Sequence, residues 1–254
     1  MIRLVRAEWT KLFTTKVWLG LLLGACGLVA GFSALITGFA GSSQNGQPGL
    51  PPVGNPEFEK VAFAVSTNAN VLFLILGIIG MTQEYRHRTA TPTFLAEPRR
   101  WRVVVAKLAA YALVAVPFAL VVLAVNVLVV TVYAGARGAT PSLTGDNLQV
   151  ILSAGLALVI YALIGVGIGA LIRNQVGAIV GGLVYLFVVE TVIRSIPATS
   201  GAYKWMPGGA LEAMTATFQG PDLLDAWQGG VLLVGYGLLA ALLGTLLAVR
   251  RDVV

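Results

Sequence analysis

The sequence predicts an all-α, polytopic membrane protein with six transmembrane helices. Three observations carry that prediction. The first is composition: 57% of the 254 residues are hydrophobic and only 11% are charged, where a soluble domain carries roughly 25%, and the mean hydropathy is +0.85. The second is a set of six apolar runs, each long enough to cross a bilayer,. The third is the crowding of Lys and Arg between alternate runs. Inside lipid every backbone N–H and C=O needs a partner, and a helix satisfies its own. The short alternating segments of a β-barrel are absent from the sequence,.

The runs lie near residues 17–39, 61–81, 103–133, 148–172, 176–193 and 229–249. About 20 residues cross the hydrocarbon core, so the third run tilts, kinks at Pro117 or protrudes into water,. The first run is too long for the apolar region of a signal peptide, so it reads as a retained helix,. Ahead of it, Ile2, Val5, Trp9 and Leu12 recur at helical spacing beside Arg3, Arg6 and Lys11. That pattern predicts an interfacial helix over 1–16, with Trp9 at headgroup depth; a plain basic flank is the alternative. Segments 40–60 and 134–147 are rich in Gly, Ser, Asn and Pro and read as loops,. In the longer segment 194–228, Pro207 opens a helical stretch that either dips back into the membrane or caps the outer surface,. Residues 1–254 form one domain, and Cys26, the sole cysteine, reads as a packing residue,.

Charge sets the orientation. Thirteen of the 17 Lys and Arg residues fall before the first run, between runs two and three or just inside the third, between runs four and five, or at the end. Lys60, Arg137, Arg194 and Lys204 fall on the other side. The positive-inside rule makes the crowded side cytoplasmic and puts both termini there. The net charge of +6 then reflects anionic lipid headgroups as partners, with no nucleic acid,.

The chemistry the sequence excludes is as informative. No lysine follows a glycine, so there is no phosphate-cradling G-x-x-x-x-G-K-[ST],. His87 is the only histidine, which excludes a His-based triad or zinc site within the membrane,. No catalytic residue, metal site or cofactor is expected in this chain. Two polar groups fall in apolar runs. Glu190, near the outer end of the fifth, is either a hydrogen-bonded or snorkelling carboxylate or a proton-coupling group. Asn126 either bonds between helices or contacts a substrate. Gly20, Gly24, Gly27 and Gly31 share one face of the first run, and Gly165/Gly169 and Gly177/Gly181 repeat the spacing later. Such stripes pack helices within one chain or between two copies.

The connection over 82–102 stands out. Glu84 and Arg88 have the spacing of a helical ion pair,. Phe94 and Leu95 then lie between two basic clusters, the second holding Arg99, Arg100 and Arg102. A short amphipathic helix offered to a cytoplasmic partner has this form. The segment resembles the element after the second span of ABC-type-2 (ATP-binding cassette) permeases. Glu84, Arg86, Arg88, Thr89, Leu95, Pro98, Arg99 and Lys107 stand at matching places. Gln83 replaces a glycine before the glutamate, and Arg88 stands where a glycine would precede Thr89. The opening, Ala7-Glu8-Trp9-Thr10-Lys11-Leu12, and the outer stretch Trp205-Met206-Pro207-Gly208-Gly209-Ala210 are similar to the family too.

The resemblance implies the permease subunit of an ATP-driven exporter of a drug, peptide, lipid or other amphipathic molecule in a bacterial plasma membrane. Two permeases, identical or homologous, would work with two separate ATPase subunits that hold ATP and Mg. The first helix, through Arg6, Trp9 and Lys11, and the 84–99 connection would contact the ATPase. Glu84 and Arg88 would brace the connection while Phe94 and Leu95 enter a groove on the partner. The alternatives are an ATP-independent secondary transporter or channel, and a non-transporting sensor or immunity subunit.

Overall fold

The structure, a computed structural model, describes all residues except 43–49, 88, 90–92, 94, 96, 98, 216–222 and 251–254, and omits the side chains of 100 and 247–250 as well. Among the described residues every regular element is helical. In chain order they are α1 (Ile2–Thr14), α2 (Val17–Gly38), α3 (Pro56–Ala64), a 3₁₀ stretch (Val65–Ala69), α4 (Asn70–Arg86), α5 (Arg100–Ala136), α6 (Asp146–Ile172), α7 (Gln175–Val184), a π-helical stretch (Tyr185–Val189), α8 (Glu190–Ser195), α9 (Ser200–Tyr203), α10 (Pro207–Thr215) and α11 (Ala226–Arg250).

Six helical spans are long and apolar enough to cross a membrane: Val17–Gly38, Pro56–Arg86, Trp101–Ala136, Asp146–Ile172, Gln175–Ser195 and Ala226–Leu246. The second is longer at both ends than its apolar run. At its start Asn55 accepts the Glu57 N–H at 2.8 Å, with Pro56 in the first turn, so a capped polar turn precedes the apolar stretch. The third is a single 37-residue helix that runs through Pro117. At 1.5 Å per residue it is about 55 Å long, well beyond a hydrocarbon core of about 30 Å.

Glycine decides which helices form the centre. A Cβ on Gly77 would overlap the Ala162 carbonyl, and one on Gly165 would overlap the Leu74 carbonyl. The backbones of α4 and α6 therefore touch, and no side chain fits between them. A Cβ on Gly167 would stand 2.6 Å from Ala240, which seats α11 on the other side of α6. Gly169 likewise meets Met81. Gly177 and Gly181 make only ordinary contacts with residues of their own turn and α6.

Among the described residues the stripe Gly20, Gly24, Gly27 and Gly31 makes no close packing contact. Three of the four would have nothing within 4 Å of a Cβ, and Gly24 only Leu72 at 3.7 Å. The reason is rotational. Helix α2 meets the bundle through Ala25, Val29, Ser33 and Thr37, all buried. At 100° per residue that ridge lies on the opposite side of the helix from the glycines. Of the two readings of this stripe, packing within the chain finds no support among the described residues.

Exposed aromatic rings gather at both ends of the bundle. Trp9, Phe13 and Trp101 lie at the end carrying α1, called here the basic face, and Phe39, Tyr133, Trp205 and Trp227 lie at the far face. Belts of this kind mark the two membrane–water interfaces. On the far face, α10 is packed into the bundle against α11 and α6, burying Ala210, Leu211, Ala213 and Met214.

Candidate functional site

The basic face holds a cluster of four charges, three of them buried and the fourth, Lys11, partly exposed. Helix α1 lies along the first turns of α5, fixed by the Trp9 indole N–H donating to the Ala110 carbonyl at 3.2 Å. This seating turns Glu8 inward. Glu84, in the last turn of α4, and Lys107, two turns into α5, point at the same spot.

The geometry is a closed exchange of charge. Lys107 Nζ lies 2.6 Å from Glu8 Oε2 and 3.3 Å from Glu84 Oε1. Lys11 Nζ lies 2.7 Å from Glu8 Oε1 and 2.6 Å from Glu84 Oε1. Lys107 also donates to the Gly80 carbonyl at 3.2 Å, and its side chain is 0% exposed. Two carboxylates and two ammonium groups cancel, which is the condition for keeping Glu8, Glu84 and Lys107 out of water,. Burial alone would drive Lys11 toward its neutral form. The hydrogen bonds and charges of Glu8 and Glu84 outweigh it and hold the Lys11 ammonium above its ordinary value,.

The 82–102 connection hangs from this cluster. The Thr93 hydroxyl donates to Glu84 Oε1 at 3.4 Å. The Thr93 N–H bonds the Thr89 carbonyl, and the Glu97 N–H bonds the Thr93 carbonyl. Both are i to i−4 bonds, and Thr93 and Leu95 are helical,. A cleft of about 230 Å³ opens between α1 and this connection, lined by Leu4, Ala7, Glu8, Lys11, Thr93, Glu97, Val103 and Ala106.

A family model described as ABC-2 family transporter protein matches residues 4–189. The chain belongs to the ABC-2 transporter family. That match covers α1 through the π-helical stretch, and so includes the whole charge cluster. No curated protein matches the sequence. As an ABC-2 family membrane protein the chain is a transporter component with multiple membrane spans, of a class that is generally non-catalytic.

Within this ABC-2 chain the sequence-selected residues separate into groups. Glu84 and Lys11 belong to the cluster, and Trp9 anchors its first helix. Arg6, Arg86, Thr89 and Arg99 are exposed on the basic face. Leu95 is 77% exposed. Arg88, Phe94 and Pro98 lie outside the described residues, so the expected Glu84–Arg88 pair does too. What Glu84 does hold is Lys11, Lys107 and Thr93.

Asn126 donates to Ser33 Oγ at 2.7 Å and to the Ala62 carbonyl at 3.1 Å, tying α5 to α2 and α3. Glu190 accepts the Gly208 N–H at 3.1 Å on the far face, away from the cluster. Among the described residues no group of His, Cys, Asp and Glu could hold a metal ion.

Sequence reasoning passed over Glu8 and Lys107 as a pair, although both sit in the segments that resemble the family. The available signal was Lys107 itself: a lysine two turns inside an apolar helix needs an anion. Glu8 is 99 positions away, and only the fold names it as that anion.

Proposed function

We propose that this chain is the membrane-spanning permease subunit of an ATP-driven exporter, and that the Glu8–Lys11–Glu84–Lys107 cluster is the joint through which an ATPase moves the spans. The observation that carries this reading is the meeting of three helices at one point. Helices α1, α4 and α5 converge there, and Thr93 of the connection bonds to it. A push on α1 or on the connection cannot be absorbed locally, because shifting either element separates buried opposite charges. The push passes instead to the second and third spans, which are α4 and α5 continued.

The energy comes from a separate ATP-binding cassette subunit with its ATP and Mg. Nucleotide binding to one arrangement of that partner selects one arrangement of the permease. The exposed basic residues and Leu95 offer its contact surface, and the cleft beside Lys11 and Glu97 admits a partner side chain. A second permease copy, or a homologue, completes the membrane part. The unpacked glycine stripe of α2 is available to it. The charge asymmetry supports an orientation with the basic face and both termini in the cytoplasm of a bacterial cell and α1 in the lipid interface. The cargo class is a drug, peptide, lipid or other amphipathic molecule.

Leu95→Asp is the clean test, because an exposed position leaves the fold intact. Nucleotide hydrolysis by the co-purified ATPase should continue while transport into vesicles falls at least tenfold. Unchanged transport overturns the role of the connection, and uphill transport by the lone chain overturns the ATP-driven reading. Glu84→Ala does not serve this purpose, since it strands the buried Lys107 charge.

A further inference from the structure

Glu190 is 5% exposed and is the first residue after the π-helical stretch Tyr185–Val189. Its carboxylate sits over the N-terminal turn of α10, where Gly208 N–H donates to Oε1 at 3.1 Å. A Cβ at Gly208 would overlap Oε2, so only glycine allows this approach. The groups facing the carboxylate come from every element around it. They are Tyr185 beside it in the chain, Tyr161 from α6, Tyr203 from α9 and Glu212 from α10. Arg194 is turned away, with Nη1 2.6 Å from Glu212 and its guanidinium 5.3 Å from the Tyr203 ring. Among the described residues no lysine or arginine forms an ion pair with Glu190. The Tyr161 hydroxyl is buried within the field of Glu190 but makes no hydrogen bond to it.

This differs from the basic-face cluster in one decisive respect. There each carboxylate has two ammonium groups, whereas here a carboxylate is taken from water and given a backbone N–H and phenols. A helix N-terminus supplies about half a charge and a phenol none, which does not replace the hydration of a full charge in a dry site. What the arrangement lacks is one positive charge.

We propose that Glu190 is a proton-binding site and that docking of α10 on the fifth span takes up one proton from the far-face medium. The O–H bond forms on a carboxylate oxygen of Glu190, and the proton comes from the far-face medium. Ionisation of Glu190 then loosens α10 and the outer surface it covers. A π-helical stretch next to the site suits this, because such stretches recur at functional positions and repack readily. The proposal concerns the far face, so it stands or falls independently of the ATPase joint.

The test uses the whole chain in lipid nanodiscs without any partner. Infrared difference spectra of wild type against Glu190→Gln are recorded from about pH 5 to 8, where exposed carboxyls are ionised. A protonated-carboxyl band present in the wild type and missing from the variant is expected. It should shift in Tyr161→Phe, a variant that keeps the packing. Hydrogen exchange across 207–215, corrected for intrinsic rate, should quicken several-fold as pH rises in wild type and stay flat in Glu190→Gln. A carboxylate ionised across the whole range, or the same exchange profile in both proteins, overturns the proposal. If Glu190→Gln does not fold, the wild-type band and its response to Tyr161→Phe decide alone.

Discussion

Lys107 shows how a single residue can hold a membrane helix in register. Its ammonium is shut away from water and satisfied by Glu8, Glu84 and the Gly80 carbonyl. Lys107→Met removes one charge and leaves two carboxylates sharing Lys11. The expected loss is about 3–5 kcal/mol, the range for breaking a buried pair from one side. Thermal unfolding in detergent should show a clear fall in Tm, and Glu8→Gln added to Lys107→Met should recover part of it, since the two sites are coupled. An unchanged Tm in the single variant would mean that the pair is loose. Glu84 was legible from the sequence as an important residue of the connection; its partners were not. The sequence offered Arg88 four positions on, which lies outside the described residues; the structure adds Lys11 and Lys107 at separations of 73 and 23 positions. Local spacing can only nominate local partners.

At the scale of elements, glycine spacing proved a good guide in one helix and a poor one in another. Gly165 and Gly169 lie on the α4–α6 contact, whereas Gly20, Gly24, Gly27 and Gly31 face away from the chain. The spacing is the same, because a stripe records which residues share a face and not what that face meets. Gly77 and Gly27 therefore make a sharp comparison. Gly77→Leu drives a side chain into the Ala162 carbonyl, which cannot rotate out of the way. It should cost about 1–3 kcal/mol or more by overpacking and lower Tm. Gly27→Leu should leave the monomer's Tm within error, and any effect it has should appear in the size of the purified complex. Equal losses from both would show that α2 packs more tightly than its geometry indicates. Element boundaries also moved where polar residues continue a helix. The second span begins at Pro56 because Asn55 caps it, and hydropathy alone starts it some five residues later.

The whole molecule is a bundle whose two ends differ in kind. The basic face has a neutral, fully paired charge cluster beneath a surface helix, and the far face has a carboxylate capped by a helix N-terminus and ringed by tyrosines. Orientation in the membrane follows from the charge asymmetry and is open to direct measurement. With Cys26 replaced by serine, Ala198→Cys on the far face should react with an impermeant thiol reagent on intact cells. Thr10→Cys in α1 should react only after the cells are opened. The reverse pattern would invert the proposed topology and move the ATPase contact to the other face.

The sequence by itself determined the class, the six spans and the family resemblance. Each is written in properties that accumulate along the chain: runs of apolar residues long enough for the bilayer, charges confined to alternate connections, and motif residues at short range. Tertiary structure alone decided which helices touch backbone to backbone, which stripe faces outward, and how Glu8, Lys11, Glu84 and Lys107 find one another. Those outcomes depend on the rotation of each helix about its axis and on contacts between residues up to 99 positions apart. Lipid is as apolar as the helices it surrounds, so hydropathy exerts no pull toward any one rotation. Close backbone fit and the pairing of buried charges set it instead, and both exist only once the helices are assembled.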